Sequence, residues 1–325
     1  MTGVVRVHEV GGPEVLRFEE TDVGSPGAGQ ALIRQTAVGL NYIDVYFRSG
    51  LYPSLQLPFI PGLEGAGVVE AVGEGVSELR PGQRVAYAAP PIGAYAERRL
   101  MPADRLVALP DGISDEQAAA MMLKGMTAQY LLRRTYPVQA GQTILFHAAA
   151  GGVGTIASQW AKHLGVTVIG TVGSDAKAEL AQQNGCAHVI RYDREDVPAR
   201  VREITGGKGV PVVYDAVGQA TFDASLDCLA PLGMLVSFGQ SSGKIPPVDL
   251  GILSQKGSLY ITRPTLMTYT AARSDLLDSA NELFEVVQSG AVEIKINQRV
   301  ALRDAAEAHR ALEGRRTTGS TLLLP

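Results

Sequence analysis

The fold is decided by one stretch, Thr143-Ile144-Leu145-Phe146-His147-Ala148-Ala149-Ala150-Gly151-Gly152-Val153-Gly154. A short apolar run of strand length leads into glycines, and a helical pattern follows. Backbone amides and the dipole at such a helix start can bind a pyrophosphate where no side chain obstructs it. Gly151 would admit the phosphates and Gly154 would let the helix pack on the strand, although Ala149 replaces the first glycine of the usual motif. Alone, the turn is equally compatible with an alanine-glycine turn that binds nothing, but its strand and helix context predicts a dinucleotide site.

Strands and helices alternate from residue 143 onward. Further strands are predicted at 166–172, 189–192, 212–216, 235–239 and 259–262, with helices near 153–164, 175–184, 197–204 and 220–229. This rhythm predicts an α/β fold with a doubly wound parallel sheet and right-handed crossovers.

The regions on either side have a different pattern. Roughly the first 120 residues are short strand patterns broken by Gly-Pro turns, which suggests a β-rich barrel or half-barrel. The tail from about residue 275 gives an amphipathic helix, a strand, a helix at 304–312 and a closing strand at 321–324. We expect the tail to rejoin the first region, so that residues 1–123 and 266–325 form one discontinuous domain and residues 124–265 form the other.

The composition excludes several classes of protein. Two cysteines, Cys186 and Cys228, are too few for a disulfide framework or a four-cysteine zinc site, as a reducing compartment would predict. The net charge of −4 supplies no basic field for nucleic acid. The start has no apolar signal core, and no apolar run reaches the ~18 residues of a membrane span. We therefore expect a cytoplasmic protein.

The choice of dinucleotide depends on the end of the second strand of this region. An NAD site places Asp or Glu there to accept from the ribose 2′-hydroxyl. The turn Thr171-Val172-Gly173-Ser174 has no acid, while Lys177 and Tyr192 follow nearby. A cation and hydroxyls without a carboxylate favour a 2′-phosphate and hence NADPH. The alternative for Lys177 is an ordinary solvated helix lysine.

No residue pattern indicates a metal or a nucleophilic triad. The five histidines lie apart from one another, and only Cys186 and His188 are neighbours, at the start of a predicted buried strand. No Gly-x-Ser-x-Gly elbow precedes a helix. We predict that the protein holds no metal.

Polar and aromatic residues cluster in the first region at Asn41, Tyr42, Asp44, Tyr46, Arg48 and Tyr52. Tyrosines offer flat faces to a planar ring and hydroxyls to a carbonyl oxygen, and Asn41 offers an amide donor. From composition alone, half-buried tyrosines without a catalytic role are the better interpretation. The same caution applies to Arg263 and Arg315.

Long ordered segments nevertheless match a known family. They are HisGluValGlyGlyProGluValLeu, AsnTyrIleAspValTyrPheArgSerGlyLeuTyr, LeuPheHisAlaAlaAlaGlyGlyValGly, SerPheGlyGlnSerSerGly, GlySerLeuTyrIleThrArgPro and ThrThrGlySerThrLeuLeuLeuPro. Over nearly its whole length the chain resembles the zinc-independent, ζ-crystallin-like quinone oxidoreductases of the medium-chain dehydrogenase/reductase superfamily. Zinc-binding members of that superfamily carry Gly-His-Glu where this chain has Gly62-Leu63-Glu64.

The resemblance implies a GroES-like catalytic domain built from both chain ends, an inserted Rossmann domain and a homodimer formed through the last Rossmann strand near 259–262. It implies a putative quinone site at Tyr46 and Tyr52, with Asn41 as a third catalytic candidate. The residues that it implies for NADPH binding are Asn41, Tyr46, Thr127, Tyr130, Gly151, Gly152, Val153, Gly173, Ser174, Lys177, Tyr192, Val217, Phe238, Gly239, Gln240, Ser241, Arg263, Pro264, Thr265 and Arg315.

The predicted reaction is metal-free reduction of a quinone by NADPH, as a hydride or one electron at a time. An alternative is an NADPH-dependent reductase of the C=C bond of an enone or enoyl thioester. A third interpretation, also from the resemblance, is a lens-type structural protein or an AU-rich RNA-binding protein, and the net charge of −4 argues against RNA binding.

Overall fold

The computed structural model describes residues 1–52 and 56–325. It divides into two compact units. The first unit comprises Met1–Met126, Thr270–Gln288 and Ile294–Pro325, and the second comprises Thr127–Tyr269 and Ser289–Glu293.

The strands, in chain order, are β1 Thr2–Val7, β2 Leu16–Thr21, β3 Gln30–Gly39, β4 Glu64–Val72, β5 Arg84–Ala88, β6 Arg98–Pro102, β7 Val107–Ala108, β8 Thr143–Phe146, β9 Thr167–Val172, β10 Cys186–Arg191, β11 Val210–Asp215, β12 Leu229–Ser237, β13 Tyr260–Thr262, β14 Ile296–Ala301 and β15 Ser320–Leu324. The α-helices are α1 Tyr42–Arg48, α2 Asp115–Tyr130, α3 Gly152–His163, α4 Asp175–Gln183, α5 Val197–Ile204, α6 Phe222–Asp227, α7 Gly251–Gln255, α8 Leu266–Tyr269, α9 Arg273–Gln288 and α10 Ala305–Glu313.

The first unit is a β-rich body that both ends of the chain build. Its larger sheet has the strand order β14-β15-β3-β4-β5-β7, with β6 also paired to β3, and β1 and β2 form a separate antiparallel hairpin. The closing strand β15 pairs antiparallel with β3 through Leu322 opposite Gly39 and Leu323 opposite Val38. Side chains from both ends of the chain, including Ile33, Tyr95 and Leu323, share one buried core. The amphipathic tail therefore completes the sheet that the first residues begin.

The second unit is a parallel sheet with helices between its strands. Its order is β10-β9-β8-β11-β12-β13, and every neighbouring pair is parallel. Numbered within the unit, this is the order 3-2-1-4-5-6 of a dinucleotide-binding sheet, in which ligands bind beyond the carboxyl ends of the strands. The predicted parallel doubly wound sheet is confirmed.

One strand differs in extent from its prediction. The sequence predicts a strand at 235–239, whereas β12 begins at Leu229, because Leu229 already pairs with Val210 before the register shifts. Leu232, within the irregular part, has a φ of 60°, a conformation that no sequence pattern indicated. None of the helices in the two described ranges is long and apolar enough to cross a membrane.

Candidate functional site

The glycine turn of the second unit lies where β8 ends and α3 begins. Gly151 is the residue before the helix, with φ −81° and ψ 173°, and among the described residues no side chain caps the first turn. A Cβ on Gly154 would lie 2.6 Å from the carbonyl oxygen of Ala148 and 2.7 Å from that of Ala149, so this glycine lets the helix approach the turn. Uncapped amides at a helix start fit a pyrophosphate, as the sequence predicts.

Ala149 stands where the usual motif has its first glycine, and the neighbouring strand β9 makes room for its methyl group. Ala149 is fully buried, and its backbone N–H donates to the carbonyl oxygen of Thr171 at 3.2 Å. A Cβ on Gly170 in β9 would lie 2.7 Å from the Ala149 methyl group. The missing side chain of Gly170 therefore supplies the space that the extra methyl group of the turn occupies.

The four residues that the sequence assigns to the 2′-phosphate lie together at the start of α4. Ser174 precedes the helix, and its Oγ accepts from the backbone N–H of Lys177 at 3.3 Å. The half-exposed Tyr192 packs across Gly173, where a Cβ would overlap the tyrosine hydroxyl. The structure therefore brings Gly173, Ser174, Lys177 and Tyr192 into one group.

The loops after β11 and β12 face one another, as expected for residues that border one ligand. The backbone N–H of Ser241 donates to the carbonyl oxygen of Ala216 at 3.1 Å. Arg263 donates through Nη1 to the carbonyl oxygens of Ser237 and Gly239, each at 2.8 Å, and so ties the end of β12 to the residue after β13. Tyr130 stacks on Tyr269 with ring centroids 4.5 Å apart.

A chain of buried hydrogen bonds, which the sequence did not indicate, joins the ends of three strands below these loops. Ser225 donates to Oδ2 of Asp215 at 2.8 Å, so its oxygen accepts from Nε2 of His147 at 3.0 Å. Nδ1 of the neutral ring then accepts from Oγ1 of Thr171 at 2.9 Å. Oδ1 of Asp215 accepts from the backbone N–H of Val217 at 2.7 Å. Burial lowers the pKa of His147, although the charge of Asp215 acts in the opposite direction.

In the first unit, the tyrosines of the predicted cluster also come together. The ring centroids of Tyr42 and Tyr46 are 5.4 Å apart, and those of Tyr46 and Tyr52 are 5.1 Å apart. The backbone N–H of Tyr52 donates to the carbonyl oxygen of Tyr46 at 3.1 Å. Tyr46 is buried and Tyr52 is half-buried. Arg315 lies in this unit with a φ of 56°. Burial raises the pKa of Tyr42, and the charge of Arg315 acts in the opposite direction.

Asn41 precedes α1 and holds it by a reciprocal capping pair. Its side chain accepts from the backbone N–H of Asp44, while Oδ2 of Asp44 accepts from the backbone N–H of Asn41 at 2.9 Å. Its Nδ2 donates to Oε2 of Glu64 at 2.7 Å and makes a longer contact of 3.4 Å with the carbonyl oxygen of Gly39. The amide predicted to face a substrate is therefore largely occupied by protein acceptors.

Glu64 is the centre of a buried polar group that the sequence analysis missed. Its Oε2 lies 3.0 Å from Nζ of Lys124, and its Oε1 accepts from the backbone N–H of Leu123 at 2.7 Å. Glu64 is fully buried and Lys124 is 6% exposed. Together with Asn41, these contacts occupy both carboxylate oxygens.

A second buried chain joins α1 to α10. Arg48 forms a two-point ion pair with Glu313, at 2.8 and 2.7 Å, and its Nη1 lies 3.4 Å from Nδ1 of His309. Because a guanidinium only donates, Nδ1 accepts and Nε2–H donates to the Tyr95 hydroxyl at 2.9 Å. Tyr95 in turn donates to Oδ2 of Asp44 at 3.0 Å. Sequence reasoning named Asp44 and Arg48 but missed the other three members.

Burial controls the titration of this chain. It raises the pKa of Asp44 to about 7, against the opposing hydrogen bonds from Asn41 and Tyr95. Burial also lowers the pKa of His309 to about 3, and the nearby charge of Arg48 acts in the same direction. Within residues 1–52 and 56–325, no three His, Cys, Asp or Glu side chains are grouped so as to hold a metal ion.

Comparisons with known proteins match both units of the chain. Residues 27–111 match the family model of the alcohol dehydrogenase GroES-like domain, and residues 152–282 match that of the zinc-binding dehydrogenases. A quinone oxidoreductase of Pseudomonas aeruginosa is 57% identical over 97% of each chain. A 2-haloacrylate reductase of Burkholderia sp. is 47% identical over 98% of each chain. The crystal structure of Escherichia coli quinone oxidoreductase complexed with NADPH is 49% identical, covers 99% of this chain and 100% of that one, and has a TM-score of 0.98.

Proposed function

Since the chain belongs to the quinone oxidoreductases of the medium-chain dehydrogenase/reductase superfamily, we propose that it is an enzyme that reduces quinones with NADPH. The observation that carries the proposal is that two helix starts follow the neighbouring strands β8 and β9. The uncapped start of α3 provides a place for a pyrophosphate. The start of α4, with Gly173, Ser174, Lys177 and Tyr192, provides a place for a 2′-phosphate at the same edge of the sheet.

The residues present in the second unit fit this cofactor. Gly151, Gly152 and Val153 would hold the pyrophosphate through backbone amides, because no side chain in the described first turn of α3 occupies them. Gly173, Ser174, Lys177 and Tyr192 would hold the 2′-phosphate. The remaining proposed contacts are Asn41, Tyr46, Thr127, Tyr130, Val217, Phe238, Gly239, Gln240, Ser241, Arg263, Pro264, Thr265 and Arg315.

When bound, NADPH supplies reducing equivalents from its nicotinamide ring. The protein contributes binding, orientation and exclusion of water. We propose that Tyr46 and Tyr52 hold the planar quinone ring, since their rings already lie 5.1 Å apart on α1 and the loop after it. Asn41 would use the amide hydrogen that makes only the 3.4 Å contact with Gly39.

We further propose that the reaction needs no metal. Leu63 cannot ligate a metal, and both carboxylate oxygens of Glu64 are occupied. Oε2 accepts from Lys124 and Asn41, and Oε1 accepts from the backbone N–H of Leu123. A quinone spreads the incoming charge over its ring and both oxygens, so its reduction does not require a Lewis acid.

Two further proposals concern the state of the protein. We propose a homodimer through β13, because Tyr260 and Ile261 are exposed and, in the described chain, this strand is paired only with β12. We propose a cytoplasmic location, which the free and buried thiols of Cys186 and Cys228 support.

The test of the quinone site is the double substitution Tyr46→Phe with Tyr52→Phe, measured by NADPH oxidation with 1,4-benzoquinone and 9,10-phenanthrenequinone. We expect kcat/KM to fall at least about tenfold, because both hydroxyls are lost from the proposed site. Tyr42→Phe is the matched control, since it lies in the same ring cluster without an assigned role. Unchanged turnover of both quinones by the double variant would remove Tyr46 and Tyr52 from the site.

A second candidate function is reduction of an activated C=C bond. The similarity to a 2-haloacrylate reductase favours it, because that protein matches 98% of this chain. A comparison of kcat/KM for the two quinones, 2-cyclohexenone and 2-chloroacrylate separates the candidates. A preference for either alkene by more than tenfold would favour the second.

A further inference from the structure

The start of α4 carries a carboxylate that does not suit a 2′-phosphate. Asp175 is the first residue of the helix and directly follows Ser174, the capping residue of the proposed 2′-phosphate group. A carboxylate at the end of the second strand of a dinucleotide-binding sheet is the feature that favours a ribose 2′-hydroxyl, and hence NAD. It would also repel a phosphate dianion.

Arg191, the last residue of β10, and Arg194, in the loop after it, bind this carboxylate. Arg191 Nη1 hydrogen-bonds to Oδ1 of Asp175, and Arg194 lies with Nη1 3.4 Å from Oδ1 and Nη2 3.2 Å from Oδ2. Both belong to the segment that contains Tyr192, a member of the proposed 2′-phosphate group. The carboxylate is therefore bound by two cations that flank Tyr192 in the sequence.

Arg191 is itself fixed in place. Its Nε and Nη2 donate to the two carboxylate oxygens of Asp193 at 2.8 and 2.7 Å, and its backbone N–H donates to Glu195 at 2.8 Å. Its side chain is 11% exposed, whereas that of Asp175 is 70% exposed. The arginine is thus the anchored partner and the aspartate is the one it restrains.

The arginines around Asp175 are shared among several carboxylates. Arg191 binds both Asp175 and Asp193, and Arg194 also lies against Asp175. The next cation, Arg200, is already shared by Glu195 and Glu203. Without Arg191 and Arg194, the carboxylates of Asp175 and Asp193 would lose their arginine partners and add negative charge beside the proposed 2′-phosphate group.

We propose that Arg191 and Arg194 are specificity-determining residues, which bind the Asp175 carboxylate and so permit a 2′-phosphate at a position whose acid would otherwise favour NAD. The inference rests on the proposed use of NADPH. It adds that the preference depends on two arginines outside the group of residues that would touch the cofactor.

The test measures the Kd of NADPH and of NADH by calorimetry for the full-length protein, at low salt. In the variant Arg191→Gln with Arg194→Gln we expect the preference for NADPH over NADH to fall about tenfold, because the carboxylates of Asp175 and Asp193 then lie uncompensated near the phosphate. Adding Asp175→Asn to that variant should restore part of the preference, since Asp193 keeps its charge. Arg202→Gln is the control, because its guanidinium donates to the carbonyl oxygen of Asp227 and to no carboxylate of this group, and it should leave the preference unchanged. Thermal unfolding of each variant checks that it is folded.

The outcomes separate the inference from the proposed function. Equal affinity of the unmodified protein for NADH and NADPH would overturn the proposed cofactor itself. If the unmodified protein prefers NADPH and the arginine variant keeps the full preference, the role of the arginines is wrong. A lost preference that Asp175→Asn does not restore would also overturn the inference, because the arginines would then act on the phosphate rather than through Asp175.

Discussion

The hydroxyl of Tyr95 lies 3.0 Å from Oδ2 of Asp44, and both side chains are fully buried. The hydrogen bond is the last of a chain in which every donor points toward Asp44, starting at Arg48 and passing through His309. The carboxyl group nevertheless keeps one oxygen, Oδ1, without a hydrogen-bond partner among the described residues. This incomplete solvation is the physical reason why its proton is retained to about neutral pH.

Replacing Asp44 by Asn should change how stability depends on pH. Burial raises the pKa of Asp44 to about 7 in the folded state, above its usual value of 3.8. The folded protein therefore keeps a proton that the unfolded chain releases, and the stabilisation is complete below pH 4 and lost as the pH rises through about 7. At about 1.4 kcal/mol per pKa unit, the free energy of unfolding of the unmodified protein should fall by up to about 4 kcal/mol relative to Asp44→Asn between pH 4 and 8.

Urea unfolding of both proteins at several pH values measures this difference. His309 titrates in the opposite direction, since its lowered pKa costs stability as the pH falls below about 6.5. That contribution is common to both proteins and cancels in the comparison. Parallel pH profiles for the two proteins would show that Asp44 is ionised throughout.

Breaking the buried pair of Glu64 and Lys124 should destabilise the protein strongly. Lys124→Met leaves the carboxylate of Glu64 buried with only neutral donors, and the expected loss is about 3–5 kcal/mol. Adding Glu64→Gln removes that uncompensated charge, so the double variant should be more stable than Lys124→Met alone. Chemical denaturation of the four proteins in the cycle gives the coupling energy.

A surface pair provides the control for that cycle. Glu307 and Arg310 form an ion pair on α10 with both side chains well exposed, and Glu307→Gln should change the free energy of unfolding by less than about 1 kcal/mol. If Lys124→Met costs no more than this surface change, the buried pair does not contribute as proposed.

The two glycines of the turn should respond differently to alanine. Gly154→Ala places a methyl group within 2.7 Å of two backbone oxygens, so both the melting temperature and NADPH affinity should fall. Gly151→Ala meets only the oxygen of Ala148, at 3.1 Å, and should leave the melting temperature within a few degrees of the original. Its methyl group lies at the helix start, so we expect NADPH affinity to fall about tenfold.

Calorimetric melting and NADPH titration of the two variants distinguish these effects. The prediction requires that affinity and stability separate in Gly151→Ala and change together in Gly154→Ala. Tight NADPH binding by both variants would place the pyrophosphate elsewhere.

Ser225→Ala should destabilise the second unit through His147. The substitution removes the oxygen that accepts from Nε2–H of His147 and leaves a buried donor without a partner, at a cost of about 1–3 kcal/mol. Ser254→Ala, on the exposed side of α7, is the control and should change stability by about 0.5 kcal/mol or less. Equal melting temperatures for the two variants would contradict the hydrogen-bond chain described for His147.

The sequence predicts well those structural features that depend on residues close together in the chain. Glycine turns, alternating strands and the helix start at Gly151 each depend on a few consecutive residues, and the alternation of strands with helices predicts a parallel sheet. The tyrosines at 42, 46 and 52 come together because helical spacing and a short loop bring them there.

The buried polar chains were not predictable from the same information. Glu64 and Lys124 are brought together by packing between β4 and α2, and Tyr95 meets His309 across most of the length of the chain. No periodicity distinguishes these residues from solvated ones, since their partners are fixed only by the tertiary fold. Asp175 shows the same limit, because its two arginine partners lie 16 and 19 residues further along the chain and only the fold brings them to it.

The pairing of Ala149 with Gly170 also limits which residues these two positions can carry together. An alanine at both positions would bring two methyl carbons to 2.7 Å, so that combination is sterically blocked. A Cβ at position 170 would also lie 2.7 Å from Sγ of Cys186 on the other side. Replacing Ala149 by glycine would therefore relieve only one of the two close contacts, and the strand keeps its need for glycine whichever residue the turn carries.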